Sequence, residues 1–514
     1  MGKTLLLLIL ILTFLFSDVF SQSDTRPNII IILADDMGYG DVSSYNEDSA
    51  FETPHIDRLA ENGVKFTQAY TSSAVCTPTR YGLLTGRYNW RSTLKGGVTW
   101  GFSEPLISEE RLTVGEMLQE RDYHTAFIGK WHLGWDWEFI GNPPEDLDGP
   151  NVRPDVDYSQ PIKNGPNDRG FSYSYGFSAS LDMSPYVYVE DNMPTAIPTE
   201  TTANYDQKGF WRKGLTSPDF VHVEVLPHLT DQSVQYIHQQ ADSDQPFFLY
   251  YALPAPHTPI LPITEFMGKS NSNMYGDFVL QVDDVVGQIT EALKQNNILE
   301  DTIIIFTADN GASPESDYPE LARAGHNPSY IFRGHKADIF EGGLRVPFVV
   351  SWPSGITNSF VTDETISTVD FMATFADLAG ASLPDNTAED SYSFLPVLLQ
   401  SDYDKPLREA TVLHSINGRF AIVKDEWKLI LWPGSGGWSS PNTAEEMEGL
   451  PRFQLYNLEK DPSEKDNLYH SYPEIVEELK SLLESYINNG RSTPGEPQKN
   501  DGPERWGQLE WMEN

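Results

Sequence analysis

Chemical reactivity in this sequence centres on Cys76, the only cysteine in 514 residues. It lies in the stretch S-A-V-C-T-P-T-R-Y-G-L-L-T-G-R-Y, residues 73–88, where Pro78 suits the first turn of a helix and Gly86 suits its end. This spacing predicts a short helix over 79–85 with Cys76 at its N-terminus, where free N–H groups and the helix dipole favour developing negative charge. The alternative is a small buried hydrophobe, the commonest fate of a lone cysteine. The local sequence does not decide between the two interpretations.

Four oxygen-bearing side chains follow two apolar runs that read as buried parallel strands. They are Asp35, Asp36, Asp309 and Asn310. Ligands bind at the carboxyl ends of strands in open α/β sheets, and adjacent carboxylates there need a cation. Oxygen-only ligands select Ca²⁺ or Mg²⁺, and four side chains, some bidentate, suit the larger shell of calcium. The alternative for each pair taken alone is a helix cap or an ordinary Asp-Asn-Gly turn.

Five basic side chains lie at other helix or strand ends that face the same edge of the predicted sheet. They are Arg80, Lys130, His132, His257 and Lys336. A cation cluster beside a metal is what a tetrahedral oxyanion requires, because charge must be stabilised where it develops. A single lysine of this kind is most often a solvated surface residue. Five converging basic groups in so acidic a chain favour an anion site instead.

The elements that must position these groups alternate between strands and helices. Apolar runs predict strands at 28–33, 125–128, 246–252, 302–307 and 346–351. The alternation predicts an α/β fold with a large doubly wound, mixed or parallel sheet flanked by helices. Near residue 400 the pattern changes to short strands and one helix, which predicts a smaller C-terminal α+β domain. We therefore expect a catalytic domain over 22–400 and a C-terminal subdomain and tail over 401–514.

The N-terminus and the overall charge limit the location and the partners of this protein. Residues 1–21 have the pattern of a secretory signal peptide, in which an apolar run too short to span a bilayer follows Lys3. The formal net charge of −40 argues against a nucleic-acid partner. We expect an exported protein, periplasmic or secreted, without a membrane span. An anionic substrate would be repelled at long range, so it would need a local cationic pocket.

The segment from Trp135 to about Val225 lacks a regular pattern and is rich in proline, glycine and aromatic residues. Loops this long inside a compact protein are usually lids or binding loops. Their aromatic side chains could stack on sugar rings, or they could fill a satellite core. The aromatic residues concerned are Trp135, Trp137, Tyr186, Tyr188 and Trp211.

Several motifs together resemble the sulfatase family, in the family's order and over nearly the whole mature chain. C-T-P-T-R followed by L-L-T-G-R resembles the signature in which the cysteine is oxidised to formylglycine after translation. The blocks A-D-D-M-G-Y-G-D, G-K-W-H-L-G, A-P-H-T-P, A-D-N-G and G-x-K…E-G-G-L-R-V-P are similar to the family's other motifs. The chain thus resembles the formylglycine-dependent, arylsulfatase-like sulfatases of the alkaline phosphatase superfamily. It departs from the common pattern at Thr79, often serine or alanine, and at Leu344, often a histidine that could bear on substrate.

The resemblance implies a role for each candidate residue. Those that would hold Ca²⁺ are Asp35, Asp36, Asp309, Asn310 and the oxidised Cys76. Those that would steady the nucleophile and the sulfate oxygens are Arg80, Lys130 and Lys336. His257 would act as general acid at the bridging oxygen, and His132 as base at the second hydroxyl of the aldehyde hydrate. One hydroxyl of the hydrate would attack sulfur, the alcohol would leave, and deprotonation of the other hydroxyl would expel sulfate and restore the aldehyde.

The implied function is hydrolysis of sulfate esters on a sulfated carbohydrate, such as an algal or matrix polysaccharide or its oligosaccharides. A formylglycine-generating maturation enzyme would be a partner. One alternative is a phosphomonoester or phosphonate hydrolase of the same fold. Another is a catalytically silent sulfoglycan-binding protein, which would keep the basic pocket and lose the nucleophile. The intact C-T-P-T-R motif argues against the silent protein.

Overall fold

The computed structural model describes residues 26–513, so the predicted signal peptide at 1–21 lies outside the described residues. In chain order the strands are β1 (Asn28–Asp35), β2 (Gly63–Phe66), β3 (Ala69–Tyr70), β4 (His124–Lys130), β5 (Tyr173–Phe177), β6 (Val189–Glu190), β7 (Met193–Pro194), β8 (Glu200–Asn204), β9 (Trp211–Thr216), β10 (Phe247–Pro256), β11 (Thr302–Ala308), β12 (Phe348–Ser351), β13 (Phe360–Thr362), β14 (Ile366–Ser367), β15 (Thr411–His414), β16 (Phe420–Lys424), β17 (Trp427–Ile430) and β18 (Gln454–Asn457). The α-helices are α1 (Pro54–Glu61), α2 (Cys76–Thr85), α3 (Val114–Gln119), α4 (Val225–Gln240), α5 (Met274–Gln295), α6 (Tyr318–Arg323), α7 (Glu341–Leu344), α8 (Phe371–Ala379), α9 (Leu395–Leu398), α10 (Ala444–Met447) and α11 (Pro473–Asn488). Within residues 26–513, none of these helices combines the length and the apolar composition needed to cross a bilayer.

The main sheet has ten strands in the order β13-β2-β12-β11-β1-β10-β4-β5-β6-β7. Its centre, β11-β1-β10-β4-β5, is parallel, whereas β12 runs antiparallel to both of its neighbours. β1 is the central strand: Ile30 pairs with Leu249 on one side and with Ile304 on the other. A strand buried on both faces must be apolar at every position, and 29–33 are all 0% exposed. The predicted mixed or parallel sheet is therefore confirmed.

Helices cover both faces of this sheet, as a doubly wound fold requires. Alternate residues of β1 point to opposite faces, so Ile30 and Ile32 contribute to one apolar cluster and Ile29 and Ile31 to another. The first cluster includes buried side chains of α1, α4 and α5, and the second includes those of α2, α3 and α8. Each side of the sheet therefore has its own core.

The segment between β4 and α4 is more regular than its sequence indicates. It contributes β5, which pairs in parallel with β4, and a hairpin of β8 and β9. β5 reads Y-S-Y-G-F. The prediction missed it because tyrosine, serine and glycine replace the aliphatic residues of the other central strands. The long loop is thus partly an extension of the main sheet.

The C-terminal part forms a four-stranded antiparallel sheet, β15-β16-β17-β18, with α11 packed against it. The smaller α+β unit is confirmed, and β15 is an additional strand that the pattern did not predict. The tail returns to this unit, where Trp511 is 3% exposed and its ring centroid lies 6.2 Å from that of Phe420. The boundary at residue 400 stays a prediction.

Candidate active site

Cys76 is the first residue of α2, and the backbone before it is extended, with Val75 at φ −148° and ψ 159°. α2 ends at Gly86, which takes the left-handed conformation with φ +65°. The helix begins three residues earlier than the predicted 79–85, because Pro78 lies in the first turn, where a missing N–H breaks no intrahelical bond. All residues of α2 are buried. Cys76 therefore lies at the positive end of a buried helix dipole.

The thiol of Cys76 faces the carboxyl end of β1. Its Sγ lies 3.6 Å from Asp35 Oδ1, and Cys76 is 2% exposed. Burial raises the pKa of the Cys76 thiol far above its usual range, against the opposing effect of Lys130 and Lys336. An unmodified cysteine here is therefore a neutral thiol, which is a weak nucleophile.

Four oxygen-bearing residues lie at one edge of the sheet, because β1 and β11 are adjacent parallel strands paired as far as Ala34 and Ala308. They are Asp35, Asp36, Asp309 and Asn310, each at most 1% exposed. Asp36 takes a left-handed conformation with φ +63°, and its N–H donates to Asp309 Oδ1 over 3.2 Å. Asn310 Nδ2 donates to Asp36 Oδ1 over 2.7 Å. The strand pairing thus brings together the four residues that the sequence predicted.

The donor set of this cluster fits a hard divalent cation. Asn310 Oδ1 is buried, and no group within residues 26–513 hydrogen-bonds to it. Ligand atoms within 4.8 Å of one another come from Asp35, Asp36, Cys76 and His257. Carboxylate and amide oxygens are the ligands that Ca²⁺ takes, and a buried carbonyl oxygen without a partner is costly unless something binds it.

Two buried cations pair with the carboxylates. Arg80 donates to Asp309 Oδ2 from Nε over 3.1 Å and from Nη2 over 2.8 Å, and Lys130 Nζ lies 2.6 Å from Asp35 Oδ2. Burial opposes ionisation of Asp35, but Lys130 and the other nearby cations hold its pKa well below the usual range. Burial and the neighbouring Asp35 carboxylate raise the pKa of Asp309 to about 6. The carboxylates of Asp35 and Asp309 therefore lie so close together that both stay ionised only with the surrounding cations in place.

Lys336 and His257 approach the cluster from the side of Asp36. Lys336 Nζ lies 2.7 Å from Asp36 Oδ2, and His257 Nε2 lies 3.6 Å from the same oxygen. Ser180 connects this pair to Lys130, because its Oγ is 3.3 Å from both His257 Nδ1 and Lys130 Nζ. Basic groups from four separate segments therefore meet at the carboxylate cluster, as the sequence predicted.

His132 is held as a neutral imidazole of known tautomer. Its Nε2 lies 2.8 Å from the carbonyl oxygen of Thr99. A carbonyl only accepts, so Nε2 carries the proton and Nδ1 is bare. Nδ1 is buried and has no hydrogen-bond partner within the described part of the chain, 26–513. Burial, with Lys130 and Arg80 nearby, holds the pKa of His132 well below its usual range. The geometry suits a proton acceptor.

A cavity of about 500 Å³ has buried reactive groups in its lining, which are Cys76, His132, His257, Asp36 and Lys336. More exposed residues of the same cavity form its wall and mouth. They include Trp100, Met183, Gln207, Phe210, Arg212, Glu315, Ile416 and Trp438. The reactive groups therefore lie at the floor of a cavity with an aromatic wall.

The aromatic residues for which sugar stacking was one of two interpretations do not line this cavity. Those that are only 1–5% exposed are Trp135, Trp137, Tyr186 and Tyr188. Trp211 stacks on His222, with ring centroids 4.1 Å apart. The sugar-stacking interpretation is therefore wrong for these residues, and the satellite-core alternative holds, because the segment needs its own apolar contacts to pack beside the sheet.

Sequence reasoning missed Asp182 and Arg212, which form an ion pair in the cavity wall. Asp182 lies shortly after the carboxyl end of β5, much as Asp35 ends β1. That position would have been the signal. Because β5 was not recognised as a strand, nothing in the sequence pointed to the residue that follows it.

The C-terminal unit also contributes to the cavity, through Ile416 and Trp438. The N–H of Trp438 donates to Asp338 Oδ1 over 2.8 Å, and the N–H of Ile416 donates to the carbonyl oxygen of Ala337 over 3.1 Å. Both contacts attach the C-terminal unit to the segment that carries Lys336. The site is therefore built from both parts of the chain.

Leu344 does not line the cavity. It is 0% exposed and packs in an apolar cluster with Tyr70, Ala74 and Phe340. The departure from a histidine at this position therefore affects a core contact, and the expected bearing on substrate finds no support in the cavity lining.

Two family models match this chain. The model described as Sulfatase matches residues 27–381, and the model described as N-sulphoglucosamine sulphohydrolase, C-terminal, matches residues 334–489. Together they cover the main sheet, every residue of the floor of the cavity and most of the C-terminal unit.

The chain is also similar to individual proteins over most of its length. It is 35% identical to an N-acetylgalactosamine-6-O-sulfatase of Bacteroides thetaiotaomicron, over 90% of this chain and 94% of that protein. It is 33% identical to human arylsulfatase A, over 89% of this chain and 87% of that protein. A solved structure from work on the metabolism of multiple glycosaminoglycans by Bacteroides thetaiotaomicron is 34% identical, with a TM-score of 0.77, over 90% of this chain and 99% of that one.

Proposed function

The chain belongs to the sulfatase family and is a sulfuric ester hydrolase, and we propose that it acts on a sulfated saccharide with formylglycine at residue 76 and Ca²⁺ as its cofactors. The observation that carries the proposal is the floor of the cavity. There Cys76 begins a buried helix beside Lys336, His257 and a set of oxygen ligands.

The site suits a sulfate ester because Lys336 lines the floor of the cavity, and two fully buried cations, Lys130 and Arg80, lie behind it. Each of these cations pairs with a different carboxylate. Lys130 pairs with Asp35, Lys336 with Asp36, and Arg80 with Asp309. A sulfate ester presents oxygens in a tetrahedral arrangement, so donors from separate segments can each contact a different oxygen. Fixed charges of this kind stabilise the charge that develops during transfer without reorganising.

Two histidines that line the cavity, His132 and His257, are placed to move protons. His132 offers the bare Nδ1 described above, which can accept a proton at the floor of the cavity. His257 lines the same cavity, where a protonated Nε2 could donate to the oxygen of the leaving alcohol. When Cys76 is oxidised to formylglycine, a hydroxyl of the aldehyde hydrate would supply the nucleophile that a buried neutral thiol cannot.

The cluster at the strand ends would hold the cation. Its ligands would be Asp35, Asp36, Asp309, Asn310 and the modified residue 76. Bound Ca²⁺ would supply positive charge next to the transferred group. The unpartnered Asn310 Oδ1 is the feature that supports this assignment most directly.

A saccharide is favoured over a small aryl sulfate because the cavity continues beyond the floor. The relatives are described as sulfatases of N-acetylgalactosamine and as arylsulfatases, so the sugar is a proposal for this chain. The aromatic wall of Trp100, Phe210 and Trp438 gives a sugar ring contact area away from sulfur. Export to the periplasm or the medium, and maturation by a formylglycine-generating enzyme, complete the proposal.

The deciding experiment compares kcat/KM for a sulfated oligosaccharide, an aryl sulfate and an aryl phosphate on protein whose residue 76 is shown to be converted. We expect the oligosaccharide to be turned over best, because binding energy from remote sugar rings raises the rate of the chemical step. The phosphate ester carries more charge at neutral pH than the fixed cations balance, so it should be poorest. A phosphate turned over as well as the sulfates would favour the phosphoester hydrolase, and an aryl sulfate preferred over every glycan would remove the saccharide.

A further inference from the structure

Asp182 belongs to the cavity wall and has a carboxylate oxygen without a hydrogen-bond partner within the described residues. The residue is 8% exposed, and its Oδ2 contacts Arg212 Nη1. Its Oδ1 is buried and receives no hydrogen bond from any group within residues 26–513. A buried ionised oxygen without a donor is costly, and such an atom in a cavity wall calls for a ligand that supplies the donor.

Asp182 lies beside the reacting centre rather than at a remote surface. Ser180, two residues earlier, contacts both His257 and Lys130. Asp182 also lines the same cavity as Cys76. A group bound at Asp182 would therefore share this cavity with the sulfate ester.

Arg212 places a donor next to this acceptor. Its Nη1 donates hydrogen bonds to Oδ2 and to the backbone carbonyl oxygen of Asp182. Within the described residues, Nη2 has no hydrogen-bond partner. The guanidinium is held between two rings, with its carbon 5.3 Å from the ring centroid of Trp100 and 5.2 Å from that of Phe210. The pair is thus pre-organised, with one acceptor and one donor available side by side.

A donor beside an acceptor matches a hydroxyl group, which donates and accepts at once, or two neighbouring ring oxygens. The wall also carries the exposed carboxylate of Glu315. The wall thus has two carboxylates, Asp182 and Glu315, and one guanidinium, Arg212, and this excess of negative charge disfavours an anionic substituent on the sugar.

We propose that Asp182 and Arg212 determine specificity by binding a free hydroxyl of the sulfated sugar, an inference that rests on the proposed function. The pair would thereby select a neutral sugar over a uronic acid. Asp182 accepts from the hydroxyl through Oδ1, and Arg212 donates to the hydroxyl oxygen or to its neighbour through Nη2. The pair reads the sugar and takes no part in the transfer of the sulfuryl group.

Asp182→Asn tests this with the least disturbance of shape. Asparagine keeps the volume and can keep its oxygen towards Arg212, but the atom that replaces Oδ1 is then an amide nitrogen, a donor where the sugar needs an acceptor. We expect kcat/KM for a sulfated neutral monosaccharide to fall ~10- to 100-fold, while kcat/KM for an aryl sulfate, which has no ring hydroxyl, changes less than ~3-fold. Discrimination against a sulfated uronic acid should shrink. Asp385→Asn, which alters the half-exposed partner of Arg491 away from the cavity, is the matched control and should change none of these values.

Equal losses on the monosaccharide and the aryl sulfate would show a merely structural role and overturn the proposal, as would an unchanged preference. A binding measurement distinguishes failure of the specificity role from failure of the proposed function. Calorimetry on the Cys76→Ala protein, with and without Asp182→Asn, should show weaker binding of the sulfated monosaccharide and undiminished binding of inorganic sulfate. If the wild type cleaved no sulfate ester yet this difference appeared, the proposed function alone would fail. Without the difference, the specificity role falls.

Discussion

Asn310 donates its amide hydrogen to Asp36 Oδ1 over 2.7 Å, and this contact determines which end of the amide is free. The nitrogen is used by Asp36 and by the carbonyl oxygen of Gly311, 3.0 Å away. The carbonyl oxygen of the side chain is left buried and unpartnered within residues 26–513. The orientation is the one that a cation at this position would require.

Removing divalent ions should therefore lower both activity and thermal stability, and Ca²⁺ should restore both. At a Ca²⁺ concentration 100 times its Kd, the gain in unfolding free energy is about 2.7 kcal/mol. Asp309→Ala should lower activity and stability and abolish the gain, because it removes a ligand and the nearer carboxylate partner of the buried Arg80. Thermal unfolding with and without chelator measures this, with Asn489→Ala on the surface as control. Normal turnover by exhaustively metal-free protein would contradict the site.

Active protein should carry formylglycine at residue 76, detectable by peptide mass spectrometry. Cys76→Ala should lose activity by ~10³-fold or more, because the nucleophile is removed. Thr79→Ser is the matched control inside the motif, since serine keeps the hydroxyl that donates to the carbonyl oxygen of Ser73 over 2.9 Å. It should be converted and active. Full activity in a preparation that contains only unmodified cysteine would refute the prediction.

The segment of α7, next to Lys336, rests on a buried charge network. Lys428 Nζ lies 2.9 Å from Glu341 Oε1 and 2.8 Å from Glu464 Oε1, and all three side chains are 0% exposed. Lys428→Met should cost about 3–5 kcal/mol of unfolding free energy, because it removes the cation that two buried carboxylates share.

Lys424→Met is the control for that substitution. Lys424 lies on the same hairpin and pairs with the exposed Glu478. Since exposed ion pairs contribute only about 0–1 kcal/mol, the control should be nearly neutral. Urea unfolding of both variants gives the comparison. Similar losses in the two variants would show that burial of the network contributes nothing.

Stability should depend on pH through His414. Burial lowers the pKa of His414 to about 3, from an ordinary value of 6.5. Between these values the unfolded chain binds a proton that the native state does not, so the unfolding free energy falls as pH falls below 6.5, by up to about 1.4 kcal/mol per pH unit. His414→Asn should flatten this dependence by one proton. Unfolding measured from pH 5 to 8 tests it, with the exposed His470→Asn as control. Identical slopes for wild type and His414→Asn would contradict the assignment.

Much of the floor of the site was predictable because it follows from local patterns. The apolar run before Asp35 and Asp36 predicts a strand buried on both faces, and a second such run precedes Asp309. Parallel neighbours end at the same edge, so the convergence of these residues needed no knowledge of the other contacts. Cys76 was predictable for a similar reason, since Pro78 and Gly86 delimit a short helix.

The rest depended on contacts between residues far apart in the chain. The bare Nδ1 of His132 exists because Thr99 takes the other nitrogen, and neither residue predicts this pairing. Trp438 reaches the cavity because its N–H binds Asp338, 100 residues earlier. Four of the five aromatic residues of the irregular segment are buried, and other aromatic residues form the wall, because burial depends on which surfaces meet.

The sequence by itself therefore determined the family, the sheet and the reactive groups at the strand ends, since periodicity and short motifs encode them locally. Only the tertiary structure decided the wall of the cavity, the tautomer of His132, the free oxygen of Asn310 and the pairing of Asp182 with Arg212. The physical reason is that a hydrogen bond or a buried face is settled by the partner that packing supplies. That partner lies tens to hundreds of residues away.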